Sequence, residues 1–171
     1  IGLNSGLYCC LLGETPQLID SDCHVTYITE LPQSMAIGTT CDLRIYSKDR
    51  NLLQKLCPDT YVQSLLPLPN KEILLIGTFN CGVKSISLSS WQEQPVKNGS
   101  LPHTPIRSMI EMTPSTVLLG FDGDGVYTYN LSSGEAEPLF TRTNRMLTAM
   151  GVYSLCRDCE DNIWIGTYTG G

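Results

Sequence analysis

Short apolar runs that end in glycine recur along this chain at nearly even spacing. The clearest is Ile163-Trp164-Ile165-Gly166-Thr167, a β run after which Thr169, Gly170 and Gly171 turn the chain back. Weaker copies are Met35-Ala36-Ile37-Gly38-Thr39, Ile73-Leu74-Leu75-Ile76-Gly77-Thr78 and Val117-Leu118-Leu119-Gly120, and Ile1-Gly2 resembles the tail of a further one. The glycines at 2, 38, 77, 120 and 166 are 36, 39, 43 and 46 residues apart. A period of about 40–45 residues with several short strands per unit is the pattern of a β-propeller blade, which cannot cover its own faces and packs on its neighbours. The expectation is an all-β chain of about four β-propeller blades of four antiparallel strands, which could close as a small ring, pair with a second copy as eight or, as favoured here, form an arc of a larger ring. It is read as a single segment over 1–171 with units 1–38, 39–77, 78–120 and 121–166, each ending in the Ile-Gly strand.

The intervening sequence fits that plan. Residues 25–30 and 42–47 alternate with period two, as half-buried strands do. Polar turns such as 48–51 and 132–134 separate the runs, and ten prolines are scattered between them. About sixteen short strands result, with the Ile-Gly strand second in each blade. No stretch holds a helical period over twelve residues, although 89–93 could form one helical turn. The recurring glycines are expected where inner strands converge, because a side chain there would crowd the next blade. Positive φ before the following turn is a second expected reason. Trp164, matched by Ala36, Leu75 and Leu118, is expected in the core between blades.

Composition narrows the partners. The formal net charge is −6, and the eleven Lys and Arg are scattered. Nucleic acid and anionic membrane both select clustered basic residues, so neither is an expected partner of this segment. No apolar run approaches the roughly 20 residues of a membrane span. The chain has no initiator Met and begins and stops inside repeats, so it reads as a fragment of something longer. The eight cysteines form no disulfide framework. Cys156 and Cys159 have zinc or redox spacing, but a four-Cys site needs a second such pair. The cysteines are therefore expected mostly as small buried hydrophobes. No metal or cofactor is expected. Asp122-Gly123-Asp124-Gly125 has too few oxygens nearby for a calcium loop and reads as a tight turn. His24 and His103 stand in no nucleophile motif, and no catalytic residue is assigned.

The last repeat is more specific than a generic blade. Val152, Ser154, Leu155, Asp158, Asn162, Trp164, Gly166, Thr167, Gly170 and Gly171 match a pattern V-x-S-[IL]-x-x-D-x-x-G-N-[IL]-W-[IV]-G-T-x-x-G-G. This stretch resembles the two-component regulator propeller repeat. Asp161 stands where the family has a turn glycine, and aspartate tolerates the left-handed region better than most residues. The resemblance implies the periplasmic sensor region of a membrane-anchored hybrid two-component histidine kinase, commonly from gut Bacteroidetes, and makes this segment a fragment of a larger, seven-bladed propeller. It implies oligosaccharide detection, a homodimeric parent and a kinase carried outside this segment. A propeller acting as a protein-interaction scaffold is the alternative, followed by a propeller lyase or glycosidase.

Propeller ligands usually sit where second strands lead to third and fourth to first. Sugar recognition calls for amide or carboxylate groups against hydroxyls and an aromatic face against the ring. The loop residues of suitable type are Asn80, His103, Asp122, Asp124, Arg145 and Tyr168.

Overall fold

The computed structural model describes residues 1–99, 101–141 and 147–168. It is all-β, with a single 3-10 turn at Pro69–Lys71. The first sheet has three strands, β1 (Gly2–Leu3), β2 (Gly6–Cys9) and β3 (Gln17–Asp20). The second is β4 (Val25–Glu30), β5 (Ser34–Thr39), β6 (Leu43–Ser47) and β7 (Leu52–Leu56). The third is β8 (Val62–Leu68), β9 (Ile73–Thr78), β10 (Val83–Ser87) and β11 (Glu93–Gln94). The fourth is β12 (Ile106–Thr113), β13 (Thr116–Phe121), β14 (Gly125–Asn130) and β15 (Ala136–Phe140), and the last pairs β16 (Val152–Arg157) with β17 (Ile163–Thr167). Every pairing is antiparallel between sequence neighbours, the meander of a propeller blade. The expected helical turn at 89–93 is instead a turn that ends in β11, with Trp91 at φ 58°.

The core lies between sheets. Second strands sit mid-sheet with a neighbour on each face, so they read as unbroken apolar runs rather than alternating ones. Ile37 packs back on Leu7 of the first sheet, while Ala36 packs forward with Val62 and Leu74 of the third. The alternation repeats: Leu75 faces forward to Ile106 and Met109, and Leu118 forward to Val152.

The recurring glycines mark these junctions. A Cβ on Gly38 would lie 2.5 Å from Val62 Cγ1, one on Gly77 would lie 2.8 Å from Ile106 Cγ2, and one on Gly120 would lie 2.7 Å from Val152 Cγ1. Gly2 stands in the same way against Val25. Each glycine thus receives the β-branched residue that opens the next inner strand. Thr26 Oγ1 donates to the Val62 carbonyl and Ser64 Oγ to that of Ile106, each at 2.7 Å. The second expected reason fails, because none of these glycines has positive φ; that conformation belongs to turn glycines such as Gly82 and Gly125.

Two further expectations are corrected. Trp164 is 63% exposed, whereas its counterparts Ala36, Leu75 and Leu118 are 0%, 2% and 1% exposed. The forward face of β17 has no sheet over it among the described residues, so the position is not core here. Only Cys23 and Cys57 of the eight cysteines are buried, and all eight are free thiols. Cys10, Cys41, Cys81, Cys156 and Cys159 are exposed, most of them in turns or near sheet edges rather than in the tightly packed second strands.

Candidate functional site

Each of the four complete inner strands carries an irregularity at the same place. The register shifts between Val25 and Tyr27, Val62 and Ser64, Ile106 and Ser108, and Val152 and Ser154. The residue inside each bulge is Thr26, Gln63, Arg107 or Tyr153. A β-bulge adds a residue to one strand and re-aims its side chain, and bulges are frequent beside binding sites.

Next to each bulge lies a second repeated position, the residue two after the junction glycine. The N–H of Thr40, Phe79, Asp122 and Tyr168 donates to the carbonyl of His24, Tyr61, Pro105 and Gly151 respectively, at 3.0–3.1 Å in three cases and 2.9 Å for Asp122. The two series share one edge of successive sheets and touch. Arg107 donates through Nε at 3.0 Å and Nη2 at 2.8 Å to Asp122 Oδ2, and through Nη1 at 2.5 Å to Gln63 Oε1. The Tyr153 hydroxyl donates to the same Asp122 oxygen at 3.3 Å. The Arg107 guanidinium lies 5.0 Å from the Tyr153 ring centre, within cation–π range. Tyr153 in turn stacks on Tyr168 with ring centres 5.3 Å apart. Tyr61 and Phe79, beside Gln63 in the third sheet, stack at 5.1 Å and 9°.

The result is a row across three sheets: an aromatic pair, an amide, an ion pair and a second aromatic pair. The Arg107 and Asp122 side chains keep about a quarter of their surface open. Phe79 and Tyr153 are each about two-fifths open and Tyr168 is 75% exposed. Gln63 is the least accessible member of the row, at 7% exposed.

The loop residues expected from sequence divide on this geometry. Asp122 and Tyr168 belong to the row and are joined through Tyr153. Asp124 accepts a 2.6 Å hydrogen bond from Thr104 in the neighbouring turn, apart from the ion pair. His103 is exposed in the preceding loop, and Asn80 is exposed with its side chain on Cys81. Arg145 lies outside the described residues. Gln63, Arg107 and Tyr153 were missed, because they sit inside strands while the search was confined to loops. Their signal is the middle position of Val62-Gln63-Ser64, Ile106-Arg107-Ser108 and Val152-Tyr153-Ser154.

Two other clusters of ionisable groups have structural roles. Arg44 is buried and bonded to Asp20 at 2.7 Å and Asp42 at 3.0 Å, and Tyr46 donates to Asp20. Burial alone would raise the Asp20 pKa, but the hydrogen bonds from Tyr46, the Asp22 backbone and Arg44 outweigh it, and the carboxyl is held below its ordinary value. This network pins the loop that joins the first two sheets. In the last hairpin, Asp158 accepts from Trp164 Nε1, Asn162 Nδ2 and the N–H groups of Glu160 and Asn162, at 2.7–3.0 Å. The Trp164 bond, then those of Asn162, lower its pKa to about 2. Asp161 takes the left-handed conformation expected of it, at φ 66°. The Asp, Asn and Trp of the repeat pattern are therefore one device that ties a turn. Among the described residues no cluster of His, Cys, Asp and Glu has the geometry to hold a metal.

No family model matches the chain. No curated protein matches it either. Solved structures do. Two of the extracellular domain of BT4673 from B. thetaiotaomicron, described as a putative hybrid two component system and as a putative one component system, superpose with TM-scores of 0.81 and 0.78 at 20% identity. They cover 97% of this chain, which spans only 24% of theirs. The computationally designed Ika8 protein superposes with a TM-score of 0.65 at 12% identity, over 95% of this chain and 52% of that one. At these identities the likeness establishes the fold, a propeller-like array of four-stranded antiparallel blades.

Proposed function

We propose that this chain is part of the ligand-sensing propeller of a hybrid two-component sensor. It lies in the periplasm, its parent is anchored in the inner membrane, and it detects an oligosaccharide. The observation that carries the reading is the row of bulge residues, in which an ion pair and an amide lie between two stacked aromatic pairs. Apolar ring faces beside a few fixed polar groups make a site that holds a ligand and orients it. The repeat resemblance and the extracellular sensor domains of the same fold support the sensing role. Ligand seated across three sheets would favour one arrangement of blades or subunits, and that preference is what a kinase elsewhere in the parent would read. The carboxylates do not favour a glycosidase, since Asp122 is held by Arg107 and Asp124 by Thr104.

A thermal-shift and calorimetric screen of this chain against an oligosaccharide library tests the reading. Binding by at least one saccharide is expected, weakened about fivefold by Tyr168→Ala through loss of an aromatic contact of about 1 kcal/mol. Saccharide binding unaffected by Tyr168→Ala and Tyr153→Ala would move the site elsewhere. No saccharide binding at all would favour the interaction-scaffold reading.

A further inference from the structure

The row also specifies the charge of its ligand, an inference that rests on the saccharide reading above. An exposed arginine in a sensor site would ordinarily point to an acidic ligand, because guanidinium and carboxylate make paired, charge-assisted hydrogen bonds. Arg107 is already committed in that way. Its Nε and Nη2 are on Asp122 Oδ2, its Nη1 is on Gln63 Oε1, and one face of the guanidinium lies against the Tyr153 ring. These bonds use three of its five N–H groups, and a carboxylate or sulfate reaching the other two would lie beside Asp122, where like charges repel.

What the row leaves open is neutral hydrogen-bonding capacity. The three side-chain hydrogen bonds that described residues make to Asp122 all fall on Oδ2, and none of theirs falls on Oδ1. Since the Gln63 oxygen faces Arg107, its amide nitrogen is turned the other way, and that nitrogen makes no side-chain hydrogen bond with a described residue. One acceptor and one donor on either side of a neutralised arginine match a hydroxyl pair, in which one group donates and the other accepts. The Tyr168 ring, stacked on Tyr153 at the Asp122 end of the row, offers a flat apolar surface.

We propose that the site takes an uncharged saccharide. A sugar ring lies on Tyr168, one of its hydroxyls donates to Asp122 Oδ1, and a neighbouring hydroxyl accepts from Gln63 Nε2. Arg107 acts as a positioning residue that fixes the Asp122 and Gln63 rotamers.

The test compares neutral hexose oligosaccharides with uronate-containing oligosaccharides of similar length, by calorimetry, on the unaltered chain and on Asp122→Asn. The unaltered chain is expected to bind members of the neutral set at least about tenfold more tightly than any uronate. Asp122→Asn keeps the shape but frees Arg107, so neutral affinity should fall about tenfold while uronate binding appears or strengthens. Circular dichroism and melting of the variant report whether it is folded. Should it unfold, Gln63→Glu is the second variant: a carboxylate in place of the amide donor should lower neutral affinity and leave uronates unbound. Uronate binding equal to or tighter than neutral binding in the unaltered chain overturns this inference and leaves saccharide sensing standing. Absence of binding by both sets overturns the saccharide reading itself.

Discussion

The third sheet and the last one carry the same strand pattern in opposite surroundings. In β9, Leu75 and Gly77 face a fourth sheet that covers both. In β17, Trp164 and Gly166 occupy the same two positions and face solvent. The tryptophan is the strongest signal in the repeat pattern, yet it is the most exposed member of its series. Burial at this position is a property of the junction and not of the strand. What the strand itself supplies is the hairpin device, in which the Trp164 ring nitrogen and Asn162 converge on Asp158.

Four experiments sharpen or break that comparison. The largest contrast lies between two arginines. Arg44 at the first junction is buried with Asp20 and Asp42, whereas Arg157 and its partner Asp161 are largely open to water. Arg44→Ala leaves two carboxylates in a low-water site and should cost about 3–5 kcal/mol, while Arg157→Ala should cost about 0.5 kcal/mol or less, as read by urea unfolding. The Arg44 network also sets an acid limit. Because the Asp20 pKa is lowered on folding, its contribution is complete above the ordinary aspartate value of 3.8 and disappears as pH falls through the lower folded value.

Core truncation comes next. Leu118→Ala should cost about 2–5 kcal/mol, because the fourth and fifth sheets close over it. Trp164→Ala should cost about 0.5 kcal/mol, the range of an exposed site. Equal losses would mean that the forward face of β17 is covered in solution.

Glycine substitutions give a smaller contrast. Gly77→Ala would place a methyl 2.9 Å from the Ile106 carbonyl oxygen, a backbone atom that cannot swing away. About 1–3 kcal/mol of overpacking is expected. Gly166→Ala meets chiefly the Ser154 hydroxyl, which can rotate, so about 0.5 kcal/mol is expected. The smallest effect is confined to the hairpin. With Trp91 replaced by phenylalanine, Trp164 emission should hold steady down the acid range and change only as pH approaches about 2, where Asp158 takes up its proton. A change centred near pH 4 would mean that the Asp158 bonds do not form in solution.

The fold was legible because it is written in what repeats. Glycines at 2, 38, 77 and 120 recur since each must admit Val25, Val62, Ile106 or Val152, and that constraint is local and steric. The candidate site was legible only where loops carry it, at Asp122 and Tyr168. Gln63, Arg107 and Tyr153 occupy the position between Val or Ile and Ser in three of the inner strands. There the residue changes from glutamine to arginine and tyrosine while its flanks stay the same or similar. A reading that follows repeats discards such a position as noise. Physically it is where a bulge takes one side chain per sheet out of the strand's regular alternation and re-aims it, so its chemistry is not set by the repeat. The exposure of Trp164 was not legible, because a strand pattern carries no information about what lies over its face.

The account rests on the bulge residues forming the ligand face, and a residue-resolved NMR titration with a neutral oligosaccharide identified in the screen tests it most directly. Amide shifts should concentrate at residues 61–63, 105–107, 122–124, 151–153 and 168. Shifts centred instead on the opposite edge, at the groove of about 250 Å³ lined by Leu31, Pro32, Pro69 and Trp91, would contradict it.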